Sequence, residues 1–265
     1  MPITSTRVEE IINNAFESTE AESPEQHAAV EYAISMLESG KLRAAQKHGD
    51  EWKPIEWVKK AILLYFRYHD SEAMKCPPFE YYDKVPLKRE IEGQGIRVLP
   101  GAVIRRGSFI DRNAVILPSF INIGARVGKK TMIDTWSTVG SCAQVGDNCH
   151  ISGGVGIGGV LEPLQATPVI IEDNVFVGAR SEIAEGVIVK EGAVLAMGCY
   201  VAASTKIFDN MAKTLLPYGT IPPRSVCVPG ALPAPDGSHS TYAIIVKKYR
   251  DEKTDARTSL NEVLR

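Results

Sequence analysis

Asp134 stands where the pattern around it asks for glycine. In Met132-Ile133-Asp134-Thr135-Trp136-Ser137 it directly follows an apolar residue that recurs every sixth position, and at equivalent places the chain has Gly128, Gly140, Gly146, Gly158 and Gly178. A carboxylate there can hold a cation or move a proton. It equally suits an aspartate that ties its own turn by a local hydrogen bond. Glu182, in Ala179-Arg180-Ser181-Glu182, takes the outward last position of its six-residue unit. It is either an acid or base paired with Asp134 or a solvated surface charge. If residues 158–169 absorb one unit plus eight residues, the two carboxylates share one face of the fold, two turns and roughly 10 Å apart. Of the five histidines only His150 lies inside the repeat, which argues against a three-histidine zinc site and leaves an outward base or a plain surface residue. The five cysteines (Cys76, Cys142, Cys149, Cys199, Cys227) lack CxxC spacing and read as reduced packing residues.

What must position these groups is a period of six. An apolar residue returns at Val103, Phe109, Val115, Ile121, Val127, Ile133, Val139, Val145, Ile151 and Ile157, then at Ile171, Val177, Ile183, Val189, Leu195, Val201 and Ile207, and faintly at Ile221 and Cys227. Six suits neither an α-helix nor an isolated amphipathic strand. It suits a strand-plus-turn unit, three of which close a triangular coil whose recurring residues form one continuous core. Four positions after the beat sit small or β-branched residues such as Ser119, Thr131, Ser137, Ala143, Cys149 and Ser181, as narrow corners require. The glycines one position after the beat are read as sites of positive φ. Two interruptions, 158–169 and 209–220, are where binding groups would gather. The first, Gly-Gly-Val-Leu-Glu-Pro-Leu-Gln-Ala-Thr-Pro-Val, is either a lid over a neighbouring surface or a passive insertion.

Composition narrows the function classes. The chain has 265 residues, 44% hydrophobic and 23% charged, with net charge −2. Its Lys and Arg are dispersed, so no nucleic-acid partner is expected. No apolar run approaches the ~18 residues of a membrane span, and the acidic amino-terminal stretch is unlike a signal peptide, so a cytoplasmic protein with no membrane partner is expected.

Residues 1–95 follow a different grammar. Val8, Ile11, Ile12, Ala15 and Phe16 recur at helical spacing behind the caps Thr4 and Ser5, a second helix is expected over 24–37 and a third over 54–68. Residues 42–52 read as a hairpin turning at His48-Gly49-Asp50, and 70–95 as an irregular linker. The fold expected is mainly β: a helical domain with linker (1–95), a parallel β-helix of hexapeptide repeats (96–230), and a carboxy-terminal strand and short helix (231–265, the helix near 259–264).

Two runs then carry a resemblance. Met132-Ile133-Asp134-Thr135-Trp136-Ser137-Thr138-Val139-Gly140-Ser141-Cys142-Ala143-Gln144 and Ser152-Gly153-Gly154-Val155-Gly156-Ile157-Gly158-Gly159-Val160-Leu161-Glu162-Pro163-Leu164-Gln165 closely resemble the 2,3,4,5-tetrahydropyridine-2,6-dicarboxylate N-succinyltransferases. Asp83-Lys84-Val85-Pro86, Gly178-Ala179-Arg180-Ser181-Glu182 and Ala243-Ile244-Ile245-Val246-Lys247-Lys248 are similar to the same family. The resemblance implies a left-handed coil, a homotrimer with sites between subunits, and succinyl transfer from succinyl-CoA to tetrahydrodipicolinate in diaminopimelate and lysine synthesis. It implies no permanently bound cofactor, with succinyl-CoA a co-substrate. It shifts Asp134 towards substrate binding or proton transfer alongside Glu182, and matches Arg97 to the family's substrate-binding arginine, with Arg105, Arg106 and Arg180 weaker candidates. For coenzyme A, position in such a fold points to Lys206, Lys213, Arg224, Lys247 and Lys248 for the phosphates, and to Ala179, Ala196, Gly198 and Ala203 for a narrow pantetheine groove. Competing readings are an acetyl-CoA-dependent N-acetyltransferase of the same fold and a non-catalytic β-helix that only binds. The Thr135-Trp136-Ser137 triplet approximates a regular outward ladder once and does not recur.

Overall fold

The structure is a computed structural model that describes residues 5–19, 21–76 and 78–251. The closing helical turn expected near 259–264 lies outside the described residues.

Three helices come first: α1 (Ser5–Glu17), α2 (Pro24–Glu38) and α3 (Glu56–Tyr68). The start of α2 is fixed by a reciprocal cap, in which the Gln26 amide donates to Ser23 Oγ at 3.2 Å and the Ser23 amide to Gln26 Oε1 at 2.8 Å, with Pro24 next. Helix α3 begins two residues later than expected, because Pro54 closes a strand instead. The hairpin β1 (Ala45–His48) and β2 (Glu51–Pro54) turns at Gly49-Asp50. The stretch 70–95 is not wholly irregular, since β3 (Glu72–Cys76) and β4 (Phe79–Asp83) pair antiparallel within it.

From Arg97 the chain winds into a prism of parallel two-residue strands. Face 1 stacks Val103–Ile104, Phe120–Ile121, Thr138–Val139, Gly156–Ile157, Glu182–Ile183 and Tyr200–Val201. Face 2 stacks Phe109–Ile110, Arg126–Val127, Gln144–Val145, Ile170–Ile171, Ile188–Val189 and Thr220–Ile221. Face 3 runs from Arg97–Val98 through Val115–Ile116, Met132–Ile133, His150–Ile151, Phe176–Val177 and Val194–Leu195 to Ser225–Pro233. The second residue of each pair points inward, and the apolar ones form a single buried column. Burying each such Val or Ile contributes ~1.5–3 kcal/mol.

The beat slips in the first coil. The inward residues there are Ile104, Ile110 and Ile116, not Val103, Phe109 and Val115, and the next is Ile121, a step of five positions. The shortened turn Leu117-Pro118-Ser119 restores the register that holds afterwards. The small residues two before each inward one are buried as expected, and three hydroxyls stitch coils together. Thr131 Oγ1 donates to Gly146 O and accepts from Cys149 N; Ser137 repeats this with Ser152 O and Val155 N, and Ser181 with Ala196 O and Cys199 N.

The recurring glycines matter for a different reason from the one expected. Positive φ falls two positions further on, at Trp136, Cys142, Asn148, Gly154, Arg180 and Gly198 among others. Gly128, Gly140, Gly146 and Gly178 instead sit where a Cβ would meet the next coil's chain; at Gly140 it would lie 2.1 Å from the Gly159 nitrogen.

The helices pack on the corner between faces 1 and 2, where Ile123 and Cys142 join their core. The 158–169 segment follows them. Leu161 packs against the helical core, and the fully buried Lys59 of α3 donates to Pro163 O at 3.3 Å and Ala166 O at 2.6 Å. The segment is docked on its own chain's helices; a buried ammonium needs such acceptors, and these carbonyls supply them. The 209–220 interruption is a small antiparallel turn (Lys206–Asp209 with Thr214–Leu215), and Ser240–Tyr249 lies between Lys206–Asp209 and Ser225–Pro233 in the extended third sheet. Tyr249 donates to Asp209 Oδ2 at 2.8 Å, locking that extension.

Candidate active site

The corner between faces 3 and 1 holds Asp134, Ala179 and Gly198. Successive coils place there Asp134-Thr135-Trp136, Ser152-Gly153-Gly154, Gly178-Ala179-Arg180 and Ala196-Met197-Gly198. Backbone bonds link them: the amides of Gly154, Arg180 and Gly198 donate to the carbonyls of Thr135, Gly153 and Ala179 at 2.8, 3.1 and 3.1 Å. A Cβ on Gly198 would meet nothing within 4 Å, so the Ala179 and Gly198 part of the corner is open.

Asp134 is the most constrained polar group on this corner. Its Oδ1 accepts from the Thr135 amide at 2.6 Å, the local turn bond that the bland reading foresaw, and Oδ2 lies 3.8 Å from His150 Nε2. That separation is an ion-pair distance, too long for a hydrogen bond. His150 stacks between Met132 and Phe176 on neighbouring coils, its ring 5.0 Å from that of Phe176. Burial holds its imidazole below the ordinary histidine value, and the Asp134 charge offsets this only in part. Its Nδ1 is buried without a hydrogen-bond partner.

Glu182 is not on Asp134's face. It starts a face 1 strand, whereas Asp134 ends a face 3 strand, with the corner between them. The side chain lies over Gly156, where a Cβ would come 2.1 Å from Oε2. Arg180, two residues earlier, lies over Gly154 in the same way, its Nη1 2.4 Å from where that Cβ would be. The Gly153-Gly154-Val155-Gly156 run is thus a flat bed under an arginine and a carboxylate. Those glycines were the signal for Arg180 that the spacing argument underused.

Arg97 is exposed on face 3, in the row Arg97, Val115, Met132, His150, which sets its strand two spacings, roughly 10 Å, from that of Asp134. The coenzyme candidates divide. Ala179 and Gly198 share the 3–1 corner; Ala203 lies on the next corner, its amide donating to Glu185 Oε2; Lys206 belongs to the sheet extension; and Arg224 lies at the corner between faces 2 and 3. One chain does not gather all five into one groove. Exposed apolar side chains border the first: Trp136 is 71%, Met197 68% and Tyr200 55% exposed. Among the described residues no group of three His, Cys, Asp or Glu side chains could hold a metal ion, and no helix is long and apolar enough to cross a membrane.

Comparison with known proteins identifies the family. A family profile described as tetrahydrodipicolinate N-succinyltransferase N-terminal matches residues 7–68, the bacterial transferase hexapeptide profile matches 124–159, and the hexapeptide repeat of succinyl-transferase matches 168–203. The 2,3,4,5-tetrahydropyridine-2,6-dicarboxylate N-succinyltransferase of Idiomarina loihiensis is 50% identical, covering 97% of this chain and 98% of its own length. That of Acinetobacter baylyi is 51% identical with 98% of both chains covered. A solved Campylobacter jejuni structure, described as a candidate 2,3,4,5-tetrahydropyridine-2-carboxylate N-succinyltransferase, superposes with TM-score 0.57 at 16% identity over 94% of this chain and 71% of its own, a likeness of fold. With half of its residues identical over nearly the whole length, the chain belongs to the 2,3,4,5-tetrahydropyridine-2,6-dicarboxylate N-succinyltransferase family.

Proposed function

We propose that this chain transfers the succinyl group of succinyl-CoA to the amino group derived from tetrahydrodipicolinate, releasing coenzyme A and N-succinyl-2-amino-6-oxopimelate, the step of diaminopimelate and lysine synthesis named in its relatives. The observation that carries the reading is full-length family membership together with the Asp134 corner. The chemistry adds water to a cyclic imine, opens the ring, and forms an amide as a thioester breaks, the proton leaving nitrogen as thiolate departs. It needs groups that hold carboxylates and move protons.

Asp134 has one carboxylate oxygen pinned by a backbone amide, which leaves Oδ2 for the substrate nitrogen or its proton. Arg97 on the same face suits bidentate recognition of a substrate carboxylate. Glu182, displaced across the corner, serves the same site when a second copy of the chain brings its face 1 against the first copy's face 3. A homotrimer does this cyclically, and it would cover Trp136, Met197 and Tyr200. Pantetheine follows the open strip at Ala179 and Gly198, while Lys206 and Arg224 take coenzyme phosphates from other edges of the assembly. No resident cofactor is required, and the reaction fits a cytoplasmic enzyme.

The test is thiol release from succinyl-CoA and from acetyl-CoA, with and without tetrahydrodipicolinate or 2-aminopimelate. Acceptor-dependent release from succinyl-CoA alone is expected. Equal use of acetyl-CoA would move the assignment to an acetylating relative, and no release with either donor would refute the reading. Glu182→Gln losing turnover with acceptor affinity kept assigns proton transfer to Glu182; Asp134→Asn losing acceptor affinity assigns substrate binding to Asp134.

A further inference from the structure

Away from the 3–1 corner, the hairpin β1–β2 leans on face 2 and encloses a cavity of about 330 Å³. One end holds two arginines. Arg126 lies 4.2 Å over the Phe109 ring and donates to Gly40 O at 3.4 Å. Burial, and then the positive charge of Arg43, pull its guanidinium down to about 10. Among the described residues neither arginine forms an ion pair with a carboxylate, whereas the nearby Lys47 is committed to Glu172 at 2.8 Å. The other end holds Asp147, Asp173 and Glu191. On the strand next to Arg126, Gln144 is 3% exposed, its Nε2 donates to the carbonyls of Cys142 and Ala143, and its Oε1 is buried without a partner. Trp52, held by Glu172 at 2.9 Å, lines the wall.

This lining is bipolar. A simple anion would satisfy the arginines but face the carboxylates. A simple cation would do the reverse. We propose that the cavity between the hairpin and face 2 binds a small α-amino acid as its zwitterion, with the carboxylate on Arg43 and Arg126 and the ammonium towards the Asp147 and Asp173 end. Its volume is at the lower end for ligand sites and suits a molecule of about ten heavy atoms. The site is on a different face from Asp134 and Glu182, and the argument does not depend on the proposed reaction.

The test uses the full chain and three probes with the same butyl tail: L-norleucine, hexanoate, which lacks the ammonium, and n-pentylamine, which lacks the carboxylate. Binding is read by calorimetry and by the emission of Trp52, a signal that Trp52→Phe removes. Saturable binding of norleucine is expected, with both truncated probes at least tenfold weaker. Arg43→Ala and Asp173→Asn, each checked for native circular dichroism, should weaken norleucine at least tenfold, and Asp134→Asn should leave it unchanged. Hexanoate binding as tightly as norleucine would overturn the proposal in favour of a plain anion site. Absence of saturation at millimolar norleucine, or loss of binding in Asp134→Asn, would also overturn it.

Discussion

Replacing Gly156 by alanine tests the link between the repeat's backbone and the proposed chemistry. Gly156 has no left-handed φ, so alanine fits its backbone, but the new Cβ would lie 2.1 Å from Glu182 Oε2 and 2.2 Å from Oε1. Ordinary contact needs about 3.4 Å, so the carboxylate must retreat by about 1 Å. A reacting group misplaced by ~1 Å costs on the order of 100-fold in rate, or ~2.7 kcal/mol of transition-state stabilisation. The fold suffers less, because only the end of a flexible, exposed side chain moves. An off-rotamer cost of ~0.5–1.5 kcal/mol corresponds to a fall of about 2–5 °C in Tm. The assay is kcat/KM by acceptor-dependent thiol release, with Tm alongside, for Gly156→Ala, Glu182→Gln and the double variant. If displacement of Glu182 is the cause, the double variant matches Glu182→Gln, since the two losses are one loss counted twice. Wild-type kcat/KM in Gly156→Ala, or a double variant that drops a further ~100-fold, would refute the reasoning.

Three further outcomes are expected. Ser137→Ala removes a hydroxyl bonded to Ser152 O at 2.8 Å and to Val155 N at 3.4 Å; a loss of ~1–3 kcal/mol is expected, read from urea midpoints at unchanged m, and an unshifted midpoint contradicts the stitching role. Lys59→Met keeps the aliphatic stem but strips the donor from Pro163 O and Ala166 O, so hydrogen exchange should accelerate in 160–167 while the coil cores stay protected; equal protection in that segment would show that Lys59 does not hold it. His150 is held below its ordinary value, chiefly by burial. The folded state therefore binds fewer protons than the unfolded one just below pH ~6.5, and stability is lost as pH falls through that range. The Tm of wild type relative to His150→Asn should drop between pH 7.5 and 5.5, and a difference independent of pH would contradict this.

The period of six was legible because a stacked core repeats one demand at every coil. Its phase in the first coil was not, because Val103-Ile104, Phe109-Ile110 and Val115-Ile116 are adjacent apolar pairs and either member can point inward. Only stacking against Ile121 decides between them, and that requires the five-residue step. Asp134 and Glu182 were found as residues but set on one face, since a residue just past the inward position already belongs to the corner. His150 was judged bland because its burial comes from Met132 and Phe176, eighteen and twenty-six residues away along the chain. The hairpin at 72–83 was missed because its strands are mostly exposed and the Cys-Pro-Pro sequence reads as a linker. The coenzyme set was chosen by proximity to the carboxy-terminal coils, and in a prism neighbours along the axis can face in three directions.

Four cysteines, Cys142, Cys149, Cys199 and Cys227, are buried as free thiols, and burial pushes them up to about 12, 12, 12 and 11. A thiol in that state is inert to alkylating reagents until its surroundings open. The four are spaced along the molecule: Cys142 where the helices meet the prism, Cys149 midway, Cys199 and Cys227 towards the far end. The protein thus carries its own internal clocks. The order in which these sulfurs become labelled under mild denaturant records, coil by coil, from which end the column unzips.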